Sequence, residues 1–242
     1  MKLATEAKLG EEFIDRLEDR MKLLEDLFDA LGFCLSEKGD LLSQWRGYAS
    51  DGEGVSIGFD KQYLKKAVAA STPDELFMLR KVAYKSTDHV KRVAEQFELI
   101  KQKIEAGALD TERGRRGLLD IRTEEVIREA DAEQTTIQNE LSDAIFAMLP
   151  HLYELKSKAF AEEKEWRLIS SFTRDGSEKA EYRASGSRII PYRVHHFING
   201  EVPITNVILG PKNGTPIEVV TSMLKIAGWE GVRVRASDAT YR

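Results

Sequence analysis

The chain has 242 residues, 42% of them hydrophobic and 32% charged, with a formal net charge of -5. That is enough chain for a sizeable core, and an acidic balance that argues against broad nucleic-acid binding, which draws on clustered cationic surface. The lone cysteine, Cys34, excludes an intrachain disulfide and fits a reducing compartment.

Phe13, Leu17, Met21, Leu24, Phe28 and Leu31 recur at steps of three and four and predict an amphipathic helix from Glu11 to about Ala30, stopped by Gly32. A strand from Phe33 to Ser36 is expected next, with Cys34 as a small buried residue. The turn-rich stretch from Glu37 to Gly54 holds a helical patch near Leu41 to Trp45, for which Asp40 reads as a cap. Val55, Ile57 and Phe59 alternate with small residues, the pattern of a half-buried strand. A helix from Lys61 to Ala70 and a strand from Leu79 to Tyr84 follow.

The middle of the chain reads as helical. Val90, Val93, Phe97, Ile100 and Ile104 form one stripe, and the run from Leu118 through Leu149 forms a second. Gly107 and Gly114-Arg115-Arg116-Gly117 separate them, so an antiparallel pair inserted between strands at about residues 87–158 is expected. Arg113, Arg115, Arg116 and Arg122 make a dense basic cluster, either a solvated loop and helix start or a patch for an anionic partner. Pro150 reads as the start of a short helix to about Lys158.

Strands are predicted near Trp166 to Phe172, Arg188 to Arg193 and Ile204 to Leu209. Thr215 and Pro216 then look like the N-cap and first residue of a last helix, closed by Gly228 and followed by a strand from Gly231 to Arg235. The whole reads as one α+β domain over residues 1–242, with a mixed or antiparallel sheet and a helical insertion. No run of about 18 apolar residues occurs, and Met1-Lys2-Leu3 leads into an acidic helix rather than a secretory signal. A cytoplasmic protein without a membrane span is the expectation.

Chemistry concentrates in Glu162-Glu163-Lys164-Glu165-Trp166-Arg167-Leu168. With a side-chain period of two, Glu163, Glu165 and Arg167 share one strand face, and Trp166 and Leu168 the other, the core side. Two carboxylates on one face repel, which raises one pKa unless a cation such as Arg167 or Arg46 compensates. The plainer reading is a solvated strand edge with an ion pair. Trp45, Arg46 and Tyr48 form either a lid that stacks on a planar anionic ligand or a loop anchored by aromatic packing. Ser36, Glu37 and Asp40 offer polar contacts to a ligand or cap a helix. Gly210-Pro211-Lys212-Asn213-Gly214 lacks the spacing of the common phosphate-binding glycine motifs and reads as a plain strand-to-helix turn. His195 and His196 would face opposite sides of a strand, so no metal site is expected.

Phe33-Cys34-Leu35-Ser36-Glu37-Lys38, Asp40, Leu42, Trp45-Arg46, Tyr48, Gly52 and Gly54 to Asp60 form one block of motifs. Phe160 to Leu168, Ile190-Pro191-Tyr192, Ile208 to Pro211 and Ser237 to Tyr241-Arg242 complete the set. In these the chain resembles the bacterial domain-of-unknown-function 2971 family. Members of that family open with a Tyr-His-Tyr-Thr strand and an Asn-Asp-Pro turn. Neither occurs here, so the resemblance implies a short or truncated member that lacks the first-motif strand.

That first strand, a serine-bearing strand and a late glutamate together look like the three-part signature of ADP-ribosyltransferases. The likeness implies an ADP-ribosyltransferase-like fold with NAD as substrate. Glu165 would then be the catalytic carboxylate, stabilising an oxocarbenium-like transition state, and Glu163 its support. Ser36 would be the second-motif serine, with Trp45 or Tyr48 flanking the nicotinamide; Arg46, which could hold an anionic group, and Arg167 are the other candidate ligand-binding residues. The implied acceptor is a macromolecule or a nucleotide. The rival expectation is a non-catalytic ligand- or protein-binding module in bacterial stress or antiphage defence, which engages its partner through the same cleft or the long central helices.

Overall fold

Apolar residues at helical spacing build the first of two compact units in a computed structural model that describes residues 11–71, 77–109, 124–174, 180–196, 198 and 201–240. Its described parts are residues 11–29, 83–109, 124–158 and 173–174. They hold α1 (Glu11–Leu27), α4 (Ser86–Glu105) and α5 (Glu124–Leu152). Val93, Ile100 and Ile104 of α4 meet Leu141, Ala144, Ile145, Met148 and Leu149 of α5 in a buried cluster that also takes Leu17 of α1. Cross-contacts run in opposite chain directions: Gln134 with the Gly107 carbonyl, Lys103 with Glu140, Arg92 with Glu154. The two long helices are therefore antiparallel. Gly107, at φ 93°, ends α4 in the left-handed conformation that glycine adopts without steric penalty.

The second unit carries the sheets and comprises residues 30–71, 77–82, 159–172, 180–196, 198 and 201–240 among those described. One sheet has the order β1 (Phe28–Ser36), β4 (Glu165–Thr173), β3 (Phe77–Lys81), so β4 is its centre. β3 and β4 run antiparallel with Leu79 opposite Leu168. A second sheet orders β2 (Val55–Phe59), β7 (Ile204–Leu209) and β8 (Arg233–Ala236). In it β2 pairs antiparallel and β8 parallel to β7. A parallel pair needs a crossover, and α6 (Ile217–Ile226) supplies it. The crossover seals its face with Leu224, packed in one cluster with Val207, Leu209 and Val232. β5 (Glu181–Ser185) and β6 (Arg188–Tyr192) form a separate hairpin.

Two short helices complete the unit. α2 (Leu42–Tyr48) lies in the loop after β1. α3 (Lys61–Ala69) begins at Asp60, whose carboxylate accepts from the amides of Gln62 and Tyr63, so two otherwise orphaned donors are satisfied. Tyr63, Leu64 and Ala67 then pack with Leu35, Phe59 and Leu79.

The architecture is mixed α+β, with small sheets. Several boundaries differ from the sequence expectation. The first helix ends at Leu27, and Gly32 sits inside β1, because strand pairing outweighs the helical periodicity of this segment. Cys34 on that strand is exposed rather than buried. Pro150 lies in the last turn of α5 and does not open a new helix. Proline there removes one backbone N–H hydrogen bond without displacing the rest of a 29-residue helix. α6 starts at Ile217 with Pro216 at its N-cap. The Arg113, Arg115, Arg116 and Arg122 cluster, Gly114 to Leu118 and the terminal Tyr241-Arg242 lie outside the described residues.

Candidate functional site

Glu165 is the first residue of the central strand β4 and is buried to 4% exposure, so the reading of a solvated edge does not hold. Period two places Glu165 and Arg167 on one face, and there they pair. Arg167 Nε donates to Glu165 Oε1 at 2.7 Å and Nη2 to Oε2 at 3.3 Å. The Glu165 carboxylate holds the guanidinium above its ordinary pKa, and the neighbouring Cys34 sulfur adds to that. Both carboxylate oxygens are thus engaged by one cation.

Glu163 is also buried but does not belong to the strand. It closes the 3₁₀ turn Lys158–Glu163, and Lys164 after it has φ 44°, which interrupts the extended run. The expected shared face of Glu163 and Glu165 therefore fails: period-two alternation applies only within continuous extended backbone. Ser36, at the end of β1, donates its hydroxyl to the Glu163 carbonyl at 2.6 Å and accepts from the Lys38 amide. Ser36, Glu163, Glu165 and Arg167 are brought together around the start of β4.

Trp166, expected on the core side, is only half-buried. Its indole donates to Glu37 Oε1 at 2.8 Å, and the ammonium groups of Lys61 and Lys81 stand 4.4 Å and 5.6 Å from its ring. Lys81 also bonds Glu37 at 2.6 Å. Hydrogen bonds from Lys81 and then Trp166 hold the Glu37 carboxyl below its usual range.

The aromatic loop is organised around another acid. Trp45 is buried to 3% exposure and donates its indole N–H to Asp40 Oδ1 at 2.7 Å, so it serves as a plug and offers no ring face for stacking on a ligand. Asp40 does not cap the following helix, since Leu41 occupies that position. Asp40 instead accepts from the Ser237 hydroxyl, from the Asp238 amide at 2.8 Å and from Arg235 at 3.2 Å. Arg46 is exposed, and Tyr48 is 74% exposed.

Burial pushes the Asp40 carboxyl up, but the four donors together outweigh it and leave the group below its ordinary pKa. A depressed carboxyl contributes stability that is complete above the unfolded value, about 3.9, and is lost as pH falls through the lower folded value. Asp40→Asn should therefore destabilise the second unit by about 1–3 kcal/mol at neutral pH. The gap to the unsubstituted chain should close below pH of about 4. Urea melts across pH check it; a gap independent of pH would assign the loss to packing.

The Gly210 to Gly214 turn docks on the loop after α2. Gly210 donates to the Gly54 carbonyl and Lys212 to that of Gly52. A Cβ at Gly210 would stand 2.2 Å from the Gly52 oxygen, so this close backbone approach admits glycine alone. His195 stacks edge-on with Phe77, ring centroids 4.9 Å apart. Among the described residues no group of three or more His, Cys, Asp or Glu is placed to hold a metal ion, and no helix is long and apolar enough to cross a membrane.

The helical unit offers a different kind of site. A cavity of about 360 Å³ lies between α1, α4 and the end of α5, lined largely by apolar side chains including Leu17, Met21, Val93 and Ile100. Glu18, Ser86 and His89 are its polar walls. The cavity has no signature in the sequence. The helical stripes contain all these apolar residues, but incomplete filling between three helices leaves no mark in any one of them.

No curated protein and no solved structure matches the chain. A family model described as a protein of unknown function matches residues 44–168, just over half of the chain. The match runs from the loop that carries Trp45 to the strand that carries Glu165 and Arg167. On that match the chain belongs to the DUF2971 family of proteins of unknown function.

Proposed function

We propose that this protein is a non-catalytic ligand-binding module whose site is the apolar cavity of the helical unit. The observation that carries the reading is the cavity itself. Its volume of about 360 Å³ falls within the range of small-molecule sites, about 300–1,000 Å³. A mostly apolar lining with few polar groups is the usual composition of such sites. The engagement of both Glu165 oxygens by Arg167 also favours binding over chemistry.

An uncharged solvatochromic dye such as Nile red tests it. One saturable site per chain is expected, with affinity at least tenfold lower in Val90→Trp, because Val90 lines the cavity and is 40% exposed. Circular dichroism should match that of the unsubstituted chain. Dye binding equal in both proteins would refute the assignment.

A second reading, an ADP-ribosyltransferase-like enzyme acting on NAD, is favoured by one observation. Ser36 at the end of β1 lies against the turn that leads into Glu165, the order of elements that the ADP-ribosyltransferase likeness implies. NAD turnover by the purified chain that Glu165→Gln abolishes would support it.

A further inference from the structure

We infer that the cavity of the helical unit takes a single-chain amphiphile whose head donates hydrogen bonds, a long-chain alcohol or amine, and discriminates against the matching carboxylate. This rests on the binding reading above and names its ligand class. The tail follows from volume. At about 30 Å³ for each water-sized group, 360 Å³ holds about a dozen methylene-sized groups. Leu17, Met21, Val93, Phe97, Ile100 and Met148 offer such a chain an apolar wall.

The head follows from the polar walls. Glu18, as a carboxylate, can only accept. His89 Nε2 lies 2.7 Å from the Ala83 carbonyl oxygen. That oxygen also only accepts, so Nε2 carries the hydrogen, and in the neutral ring Nδ1 is left as an acceptor. Ser86 adapts to either role, since a hydroxyl both donates and accepts. Glu18 thus offers a ligand only acceptors, and a neutral His89, its one N–H spent on Ala83, has no donor left, so neither can serve a ligand that also only accepts. An alcohol donates one hydrogen bond; an ammonium donates three and adds attraction to Glu18. A fatty-acid carboxylate would instead bring a second anion beside Glu18 in an apolar setting, where like charges repel most.

The experiment uses the full chain at neutral pH, with decylamine, 1-decanol and decanoate as probes, read by Nile red displacement and by native mass spectrometry. Decylamine and 1-decanol are expected to bind one per chain, at least tenfold more tightly than decanoate. Val90→Trp should weaken all three, which marks the cavity as their common site. Glu18→Gln should narrow the margin of decylamine over decanoate at least threefold, because the amide both donates and accepts. Decanoate binding as tightly as decylamine, still blocked by Val90→Trp, would overturn the head preference and leave the binding reading standing. Failure of the dye and all three probes to bind would overturn both.

Discussion

Arg92→Met is expected to lower the stability of the helical unit by about 3–5 kcal/mol, the usual cost of breaking a buried ion pair by removing one partner. Glu154, two residues past α5, is 1% exposed and bonds the Arg92 guanidinium from α4. His151 Nδ1 stands 3.4 Å from its other oxygen. The backbone at Glu154 is pinned as well, since Ala83 N–H donates to its carbonyl at 2.7 Å. The carboxylate therefore has no easy route to solvent once Arg92 is gone. In thermal melts the loss should appear as about 6–20 °C, at about 2–4 °C per kcal/mol for a chain of this size. Arg92→Met combined with Glu154→Leu should recover most of it, because well-packed apolar residues replace buried ion pairs at little cost. A single-variant loss below about 1 kcal/mol would put this pair among surface ion pairs.

Glu165→Gln should cost about 3 kcal/mol by the same physics, and it separates the two readings of the β4 site. The side chains of Glu165 and Arg167 are 5% and 20% exposed, so the remaining guanidinium would sit partly buried against a neutral amide. Gln keeps one acceptor oxygen and the shape, which holds the cost toward the lower end of the range for a broken buried pair, about 3–5 kcal/mol. If the pair is structural, Arg167→Met should cost a similar amount, and the double variant should fall well short of the sum of the singles, a coupling of about 1 kcal/mol or more. A Glu165→Gln protein with unchanged urea midpoint but abolished NAD turnover would instead assign the carboxylate to catalysis.

Much of this site was legible in residue order, and the part that was not has a definite cause. The pairing of Glu165 with Arg167 follows from a spacing of two within one strand. Glu163 has the same spacing from Glu165, yet Lys164 at φ 44° removes the premise, and a positive φ at lysine leaves no pattern in sequence. Trp45 could be read as a plug or as a lid. Its partner Asp40 decided for the plug, and Asp40 in turn is held by Ser237 and Asp238 nearly two hundred positions later. Both ends of that network stand in the motifs that carry the family resemblance, without any local signal that they meet.

What the sequence by itself determined is the set of local elements and their apolar faces. Steps of three and four made α4 and α5, alternation made β2, and Asp60 placed the start of α3, since each depends on neighbours a few positions away. Only the tertiary structure decided that Phe28 to Leu31 is strand, that Glu165 is central in its sheet and charge-paired, and that three helices leave a cavity among them. Those outcomes depend on contacts between residues far apart in the chain. There the burial of apolar surface and the pairing of buried charge outweigh the small local preferences that periodicity reports.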